Sequence, residues 1–213
     1  MTLKIFNDNG MDQNVYLYYD EMTGKAFLID AGCGESDVKE LAAFLNGNGL
    51  AVEAILLTHG HYDHLMGARR VKEITSAAVY CHESEQDALE HAEVNLSARC
   101  GMNITIQPDF TLKEGDALYL SGEKAVFKVL HTPGHTPGCV CYYDEENGVL
   151  FSGDTLFRES IGRTDLPGGS HGGLIRSLKE KLLTLPDDTK VYPGHGESTT
   201  IGHERKRNPF LRP

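Results

Sequence analysis

The sequence has no long apolar run, no secretion signal and no framework of paired cysteines. None of its apolar runs approaches the roughly 18 residues that suggest a membrane-spanning helix. The first eight residues reach a charged side chain by Asp8 and contain neither the apolar stretch nor the cleavage site of a signal peptide. The five cysteines are odd in number and scattered, unlike a secreted disulfide scaffold. These absences predict a cytoplasmic protein without membrane partners.

Positive charge is also scarce in this chain. It has 20 lysines and arginines against 31 aspartates and glutamates, which gives a formal net charge of -11. Because nucleic-acid binding relies on basic patches that neutralise phosphates, we expect no nucleic-acid partner. A small anionic substrate remains compatible with this balance, since bound metal ions reverse the sign of the local field.

The length of 213 residues predicts a single domain over residues 1–213, and the pattern of apolar residues predicts that it contains both strands and helices, as an α/β protein does. Runs at 15–19 and 25–30 predict a β-hairpin, and Ser36 is predicted to cap a helix that Gly47 and Gly49 end. Residues 95–110 show no clear period. Further strands are predicted at 52–58, 78–81, 117–120, 125–131, 139–144, 149–152 and 191–192, and further helices at about 66–75, 83–91, 174–185 and 200–207.

The most informative segment is Thr58-His-Gly-His-Tyr-Asp-His64, which follows a predicted buried strand. It places three imidazoles and one carboxylate within six residues, at His59, His61, Asp63 and His64. These groups suit zinc, iron or manganese. Their spacing suits a loop that turns into a helix, a geometry that could supply ligands to two adjacent metal ions.

Three further polar residues lie in loops with glycine neighbours, namely His135, Asp154 and His195. Small neighbours let the backbone turn sharply and leave space for an ion. For any one of these residues, the alternative is a turn that happens to contain a polar side chain. Chance does not explain the whole set, because five of the ten histidines fall in the cluster and its matching loops.

The His-x-His-x-Asp-His segment and the later His135, Asp154 and His195 resemble the metallo-β-lactamase superfamily over the whole chain. The resemblance implies an αββα sandwich, two mixed β-sheets face to face with helices outside. It implies a first metal ion on His59, His61 and His135. It implies a second on Asp63, His64 and His195, with Asp154 between the two. Zinc is our first expectation, and iron or manganese is compatible with the same ligands.

Within that superfamily the chain resembles the short glyoxalase II-like proteins, notably in the segments 153–157, 201–204 and 208–211. The resemblance implies hydrolysis of a thioester such as S-lactoylglutathione. It also makes Arg163 a candidate for binding a substrate carboxylate, and the alternative for Arg163 is a salt bridge to Asp165. Full-length glyoxalase II enzymes add a C-terminal helical domain, whereas we expect no such additional domain here.

A metal pair would share a hydroxide as the nucleophile, and Asp63 would orient that hydroxide as well as bind metal. Two other readings stay open. A persulfide dioxygenase with one iron ion is the first, because those enzymes also carry a Gly-Arg-Thr-Asp segment. A non-catalytic metal-binding protein is the second. Antibiotic hydrolysis is not favoured, because the commonest zinc β-lactamases place a cysteine where this chain has Asp154.

Overall fold

A computed structural model describes residues 1–6, 13–120, 122 and 124–212. In these residues two mixed β-sheets face each other, and helices pack on both outer surfaces. This arrangement is the αββα sandwich that the resemblance implied. Within the described ranges, no helix has the length and apolar character that crossing a membrane requires.

The first sheet has six strands in chain order, with three antiparallel strands followed by three parallel connections. Its strands are Thr2–Phe6 (β1), Val15–Asp20 (β2), Lys25–Ile29 (β3), Ala51–Leu56 (β4), Ala78–His82 (β5) and Phe110–Leu112 (β6). The pair β2 and β3 is the predicted hairpin, with Gly24 in the left-handed region at a φ of 69°.

The second half of the chain contributes a second six-stranded sheet and a two-stranded ribbon. Its strands are Ala117–Leu118 (β7), Phe127–His131 (β8), Val140–Asp144 (β9), Val149–Gly153 (β10), Leu156–Phe157 (β11), Ser160–Ile161 (β12), Lys190–Pro193 (β13) and Thr199–Thr200 (β14). The sheet order is β14-β13-β10-β9-β8-β7, and β11 pairs with β12. Only the β10–β13 pair is parallel among the pairs of this described sheet.

The helices cover the outer faces of both sheets and lie close to where the sequence predicts them. They are Glu35–Asn48 (α1), Tyr62–Leu65 (α2), Ala68–Thr75 (α3), Gln86–Glu90 (α4), His171–Glu180 (α5) and Ile201–Arg207 (α6), with 3₁₀ turns at Glu83–Glu85, Ser97–Cys100 and Leu182–Thr184. The prediction that Ser36 caps the first helix is wrong. Gly34 is the N-cap residue, and its amide donates to the Asp37 carboxylate at 2.8 Å.

Alternate side chains of each strand pack into different apolar layers, as a two-residue repeat requires. On β2, Tyr16 and Tyr18 pack between the sheets, whereas Leu17 packs against the helices outside the first sheet. On β9, Tyr142 packs between the sheets and Cys141 faces the layer under α5 and α6. Both faces of each sheet are therefore covered, which explains why the strands are almost continuously apolar.

The strands that matter for the site end at one edge of the sandwich. β3 and β4 are parallel neighbours, and the chain leaves them at Asp30 and at Thr58. In the second sheet, β8, β10 and β13 run in one direction, because β8 and β10 are each antiparallel to β9, and β13 is parallel to β10. Loops that follow these strands therefore converge on the same edge.

Candidate metal centre

All seven side chains singled out in the sequence meet at this edge, although four separate segments of chain supply them. His59 and His61 lie in the loop after β4, and Asp63 and His64 lie in the short helix α2. The remaining three follow β8, β10 and β13. Thr132, Pro133 and Gly134 precede His135, and Pro193 and Gly194 precede His195.

The first group of donor atoms consists of three imidazoles. His61 Nδ1 lies 3.2 Å from His59 Nε2 and 2.9 Å from His135 Nε2. Two imidazole nitrogens on one tetrahedral zinc ion stand about 3.3 Å apart, given Zn–N distances of about 2.0–2.1 Å. The observed separations are near that value, so the three rings fit a common cation.

The second group contains Asp63, His64 and His195. Asp63 Oδ2 lies 3.2 Å from His195 Nε2 and 3.8 Å from His64 Nε2. Asp154 lies between the groups, with Oδ1 at 3.4 Å from His64 Nε2 and Oδ2 at 3.5 Å from His135 Nε2. One carboxylate thus faces both sets of imidazoles.

Two buried polar atoms in the centre have no hydrogen-bond partner among the described residues, namely His64 Nε2 and Asp154 Oδ1. Leaving such an atom buried and unpaired is costly, so each needs a partner that the protein does not supply. Both atoms face the space between the two groups. A divalent cation would satisfy both, and the residues present therefore fit a metal centre.

A buried aspartate fixes the ring of His64 and the start of the histidine loop. Asp30 Oδ2 accepts from His64 Nδ1 at 2.8 Å and from the Thr58 hydroxyl at 2.9 Å, and Oδ1 accepts from the Thr58 amide at 2.8 Å. Because the Thr58 hydroxyl donates to Asp30, it accepts from His59 Nδ1, which lies 3.1 Å away. In the neutral form of each ring, the Nε2 atoms of His59 and His64 carry no proton, and they face the centre.

His135 is oriented by a backbone carbonyl. Its Nδ1 lies 2.7 Å from the carbonyl oxygen of Arg163, which can only accept, so Nδ1 carries the proton and Nε2 is free. The Arg163 side chain points elsewhere: its guanidinium donates two hydrogen bonds of 2.8 Å to the Asp165 carboxylate. The salt bridge between Arg163 and Asp165, which was the alternative to substrate binding, is therefore present.

Burial and neighbouring charges set the protonation of the centre. Burial lowers the pKa of His61 to about 4, and the neighbouring His135 ring acts in the same direction. Burial alone would also lower the pKa of His64, but the carboxylates of Asp30, Asp154 and Asp63 outweigh it and raise that pKa. Burial therefore favours the neutral form of His61, and the three carboxylates favour positive charge at His64.

An open cleft of about 630 Å³ adjoins the centre. Asp154 and His195 form its floor, and Phe157 and Ile161 supply apolar walls. Arg163 lies at the rim, as do Arg158 and Glu197, which form an ion pair.

Sequence reasoning missed three groups that support the centre. Thr58 and the Arg163 carbonyl orient the rings of His59 and His135. Glu85 forms hydrogen bonds with the two loops that contain His61 and His135. Every residue has a backbone carbonyl, so the sequence could not identify the one at Arg163 as a contact of His135. Thr58 directly precedes the histidine cluster, and that position was the one signal that could have identified it.

Comparison with known families gives one match across most of the chain. The family model described as the metallo-beta-lactamase superfamily matches residues 8–195. The hydroxyacylglutathione hydrolase GloC of Haemophilus influenzae is 37% identical, over 99% of this chain and 98% of its own length.

Two solved structures are similar to this chain over nearly its whole length. BLEG-1, described as a B3 metallo-beta-lactamase, is 41% identical with a TM-score of 0.91, and the match covers 99% of both chains. TTHA1623 in a di-iron-bound form is 39% identical with a TM-score of 0.84, covering 99% of this chain and 100% of that one.

Proposed function

The chain belongs to the metallo-β-lactamase superfamily, and from that premise we propose that it is a binuclear metallohydrolase that cleaves a glutathione-type thioester such as S-lactoylglutathione. The position of Asp154 carries this proposal, because its two oxygens face both groups of imidazoles. The GloC relative, named for hydroxyacylglutathione hydrolysis, supports the substrate class.

The ligand assignment follows from the two groups. His59, His61 and His135 would hold one metal ion, and Asp63, His64 and His195 the other, with Asp154 as the bridge. Zinc remains the first choice for a site of imidazoles and carboxylates. Iron is a close alternative, supported by the di-iron form of TTHA1623, and manganese is compatible with the same ligands.

Two divalent cations held by these residues would supply a water molecule with a pKa lowered toward about 7 and a Lewis acid for a carbonyl group. Asp63 lies at the second group with Oδ2 at 3.2 Å from His195 Nε2, and its carboxylate would accept a hydrogen bond from that water and so orient it. The leaving thiol of a glutathione-type ester has a pKa of about 8.5 and needs no strong general acid. The cleft beside Asp154 and His195 would hold the acyl group.

Arg163 is the proposed contact for a substrate carboxylate. Its guanidinium is exposed at the cleft rim, and its pairing with Asp165 is a solvent-exposed ion pair of the kind that contributes little to stability, so a substrate can replace it. We expect Arg163→Ala to raise KM for S-lactoylglutathione about tenfold and to change kcat little, in steady-state assays. Arg70→Ala, which removes an exposed guanidinium paired with Glu73 on α3, is the control. Equal KM values in the two variants would refute the contact.

The test of the whole proposal begins with anaerobic purification and metal analysis. Two metal ions per chain and oxygen-independent cleavage of S-lactoylglutathione are expected. His61→Ala and Asp154→Ala should each abolish that cleavage while circular dichroism shows a retained fold. Turnover by the wild-type protein after complete chelation would contradict the proposal.

Two competing substrates belong in the same assay. A single iron ion with oxygen consumption on glutathione persulfide would indicate the dioxygenase instead. A β-lactam is the second competing substrate to be assayed, because BLEG-1 is described as a β-lactamase. A metal-loaded protein that turns over neither the thioester, the persulfide nor the β-lactam would support a non-catalytic metal-binding protein.

A further inference from the structure

A buried carboxylate that the proposed chemistry does not use lies behind the first group of imidazoles. Glu85 ends the 3₁₀ turn that follows β5, and it is 1% exposed. Its Oε2 accepts a hydrogen bond of 2.6 Å from the Gly60 amide. Gly60 lies between His59 and His61, so this bond holds the loop that presents both rings.

The other oxygen of Glu85 binds a second loop. Oε1 accepts from the Thr136 hydroxyl at 2.6 Å and from the Gly138 amide at 2.7 Å. Thr136 directly follows His135 in the chain. One side chain therefore joins two loops whose histidines, His61 and His135, are 74 positions apart in sequence.

The two loops have glycines where Glu85 touches them. A Cβ at Gly60 would lie 2.7 Å from Glu85 Oε2 and 2.5 Å from the Ala88 Cβ. A Cβ at Gly138 would lie 2.7 Å from Glu85 Cγ and 2.9 Å from Oε1. Any larger residue at either position would push the carboxylate out, so the glycines make room for this contact.

We propose that Glu85 is a positioning residue for the metal centre, which holds the two loops at the separation where His59, His61 and His135 share one metal ion. The inference rests on the proposed function only for the identity of these three ligands. All three partners of Glu85 donate, and a carboxylate can only accept, so its chemistry matches the site on both sides. Hydrogen bonds to a charged group are also stronger than those between neutral groups.

Glu85→Gln tests this role with almost no change of shape. The amide nitrogen of glutamine donates, so whichever way the side chain turns, it faces a donor from one of the two loops. We expect the metal ion of the first group to bind about 10–100-fold more weakly, the loss typical when a partner behind metal ligands is removed. Titration of metal-free protein with Zn²⁺ against a chromophoric chelator measures this, and the Co²⁺ absorption spectrum reports the changed geometry. The ion held by Asp63, His64 and His195 should lose less affinity.

Asp144→Asn is the matched control. Asp144 is also buried and accepts from three donors, but it lies at the end of β9 away from the metal-facing loops. Wild-type Zn²⁺ affinity in Glu85→Gln, with a loss of thermal stability equal to that of Asp144→Asn, would reduce Glu85 to a structural residue. If Glu85→Gln does not fold, Thr136→Val removes one of the three bonds, and unchanged affinity there would also overturn the proposal.

The result separates the two proposals, because metal affinity is measured without substrate. Weakened Zn²⁺ binding in a protein that cleaves no thioester would support the role of Glu85 and reject the proposed substrate. A wild-type protein that binds no metal would reject both.

Discussion

At the scale of single residues, the centre depends on which ring nitrogen each histidine presents. His64 and His135 donate through Nδ1 to Asp30 and to the Arg163 carbonyl, so Nε2 faces inward in both. His61 instead presents Nδ1. Partners behind the ring thus set the tautomer and the direction of the lone pair, which a list of metal ligands does not reveal.

The space next to Asp154 allows a sharp test at one residue. A Cβ on Gly194 would lie 2.3 Å from Asp154 Oδ1 and 2.7 Å from His64 Cε1. The Asp154 carboxylate must move, and we expect Gly194→Ala to weaken Zn²⁺ binding and lower kcat by about tenfold or more. Chelator competition and steady-state turnover measure the two effects.

Gly172→Ala is the control for that change, because nothing lies within 4 Å of the added methyl group. It should leave turnover and Zn²⁺ affinity at wild-type values. If Gly194→Ala behaved in the same way, the bridging position of Asp154 would not be needed for function.

The residues of the centre differ in how well the sequence reveals them. Histidines and aspartates in short glycine-rich motifs are rare enough to be recognised, and all seven predicted side chains lie together in the structure. Glu85 was not recognised, because it lies in a polar Glu-Ser-Glu segment like many solvated helix starts. Only its contacts with Gly60 and Gly138 separate it from the exposed Glu83.

At the scale of secondary structure, the helix α5 shows how local signals support the site. Ser170 is its N-cap, and the Ser170 hydroxyl accepts from the Gly173 amide at 3.2 Å. Leu174 and Leu178 on the same helix are fully buried against the second sheet. The helix also contacts the His135 loop, since Ser177 donates to the Pro133 carbonyl at 2.8 Å.

We expect Ser170→Ala to lower the free energy of unfolding by about 1 kcal/mol, the usual cost of losing such a cap. Urea denaturation at pH 7 measures it. Gly172→Ala in the same first turn should act in the opposite direction, by up to about 1 kcal/mol, because alanine favours the helix. A Ser170→Ala protein as stable as the wild type would show that the cap contributes nothing.

The elements that the sequence predicted well are those with a clear apolar period. Strand positions alternate or run apolar, and the helix-forming positions recur at helical spacing, so both could be located. Residues 95–110 could not be assigned, because side chains rather than a repeating backbone pattern hold them. Asn95 Nδ2 donates to the carbonyls of Ala88 and Ile104, and Leu96 has a φ of 74°.

At the scale of the whole molecule, several hydrogen bonds join the two sheets, and two of them lie near the metal-facing edge. The Tyr142 hydroxyl donates to the Leu57 carbonyl at 2.7 Å, and the Val140 amide donates to the Thr58 carbonyl at 2.9 Å. The resemblance to a known superfamily predicted the sandwich. Composition and periodicity alone could not, because they specify strands but not which sheets face each other.

A pair of stacked histidines also joins the sheets. His82 ends β5 of the first sheet, and His131 ends β8 of the second, with ring centroids 4.0 Å apart and an interplanar angle of 12°. Burial lowers the pKa of His82 to about 4, and the charge of His131 acts in the same direction, whereas Glu83, Glu114 and Asp116 oppose them.

The sign of the resulting pH dependence follows from that lowered pKa. An unfolded histidine has a pKa of about 6.5, so on acidification the unfolded chain takes up a proton before folded His82 does. The contribution of neutral His82 to stability is therefore complete above about pH 6.5 and falls as the pH approaches about 4. We expect metal-free wild-type protein to lose more stability between pH 7 and pH 5 than His82→Asn, in urea denaturation. His171→Asn, at an exposed position of α5, should follow the wild type, and equal losses in all three proteins would show that the stacked pair does not sense pH.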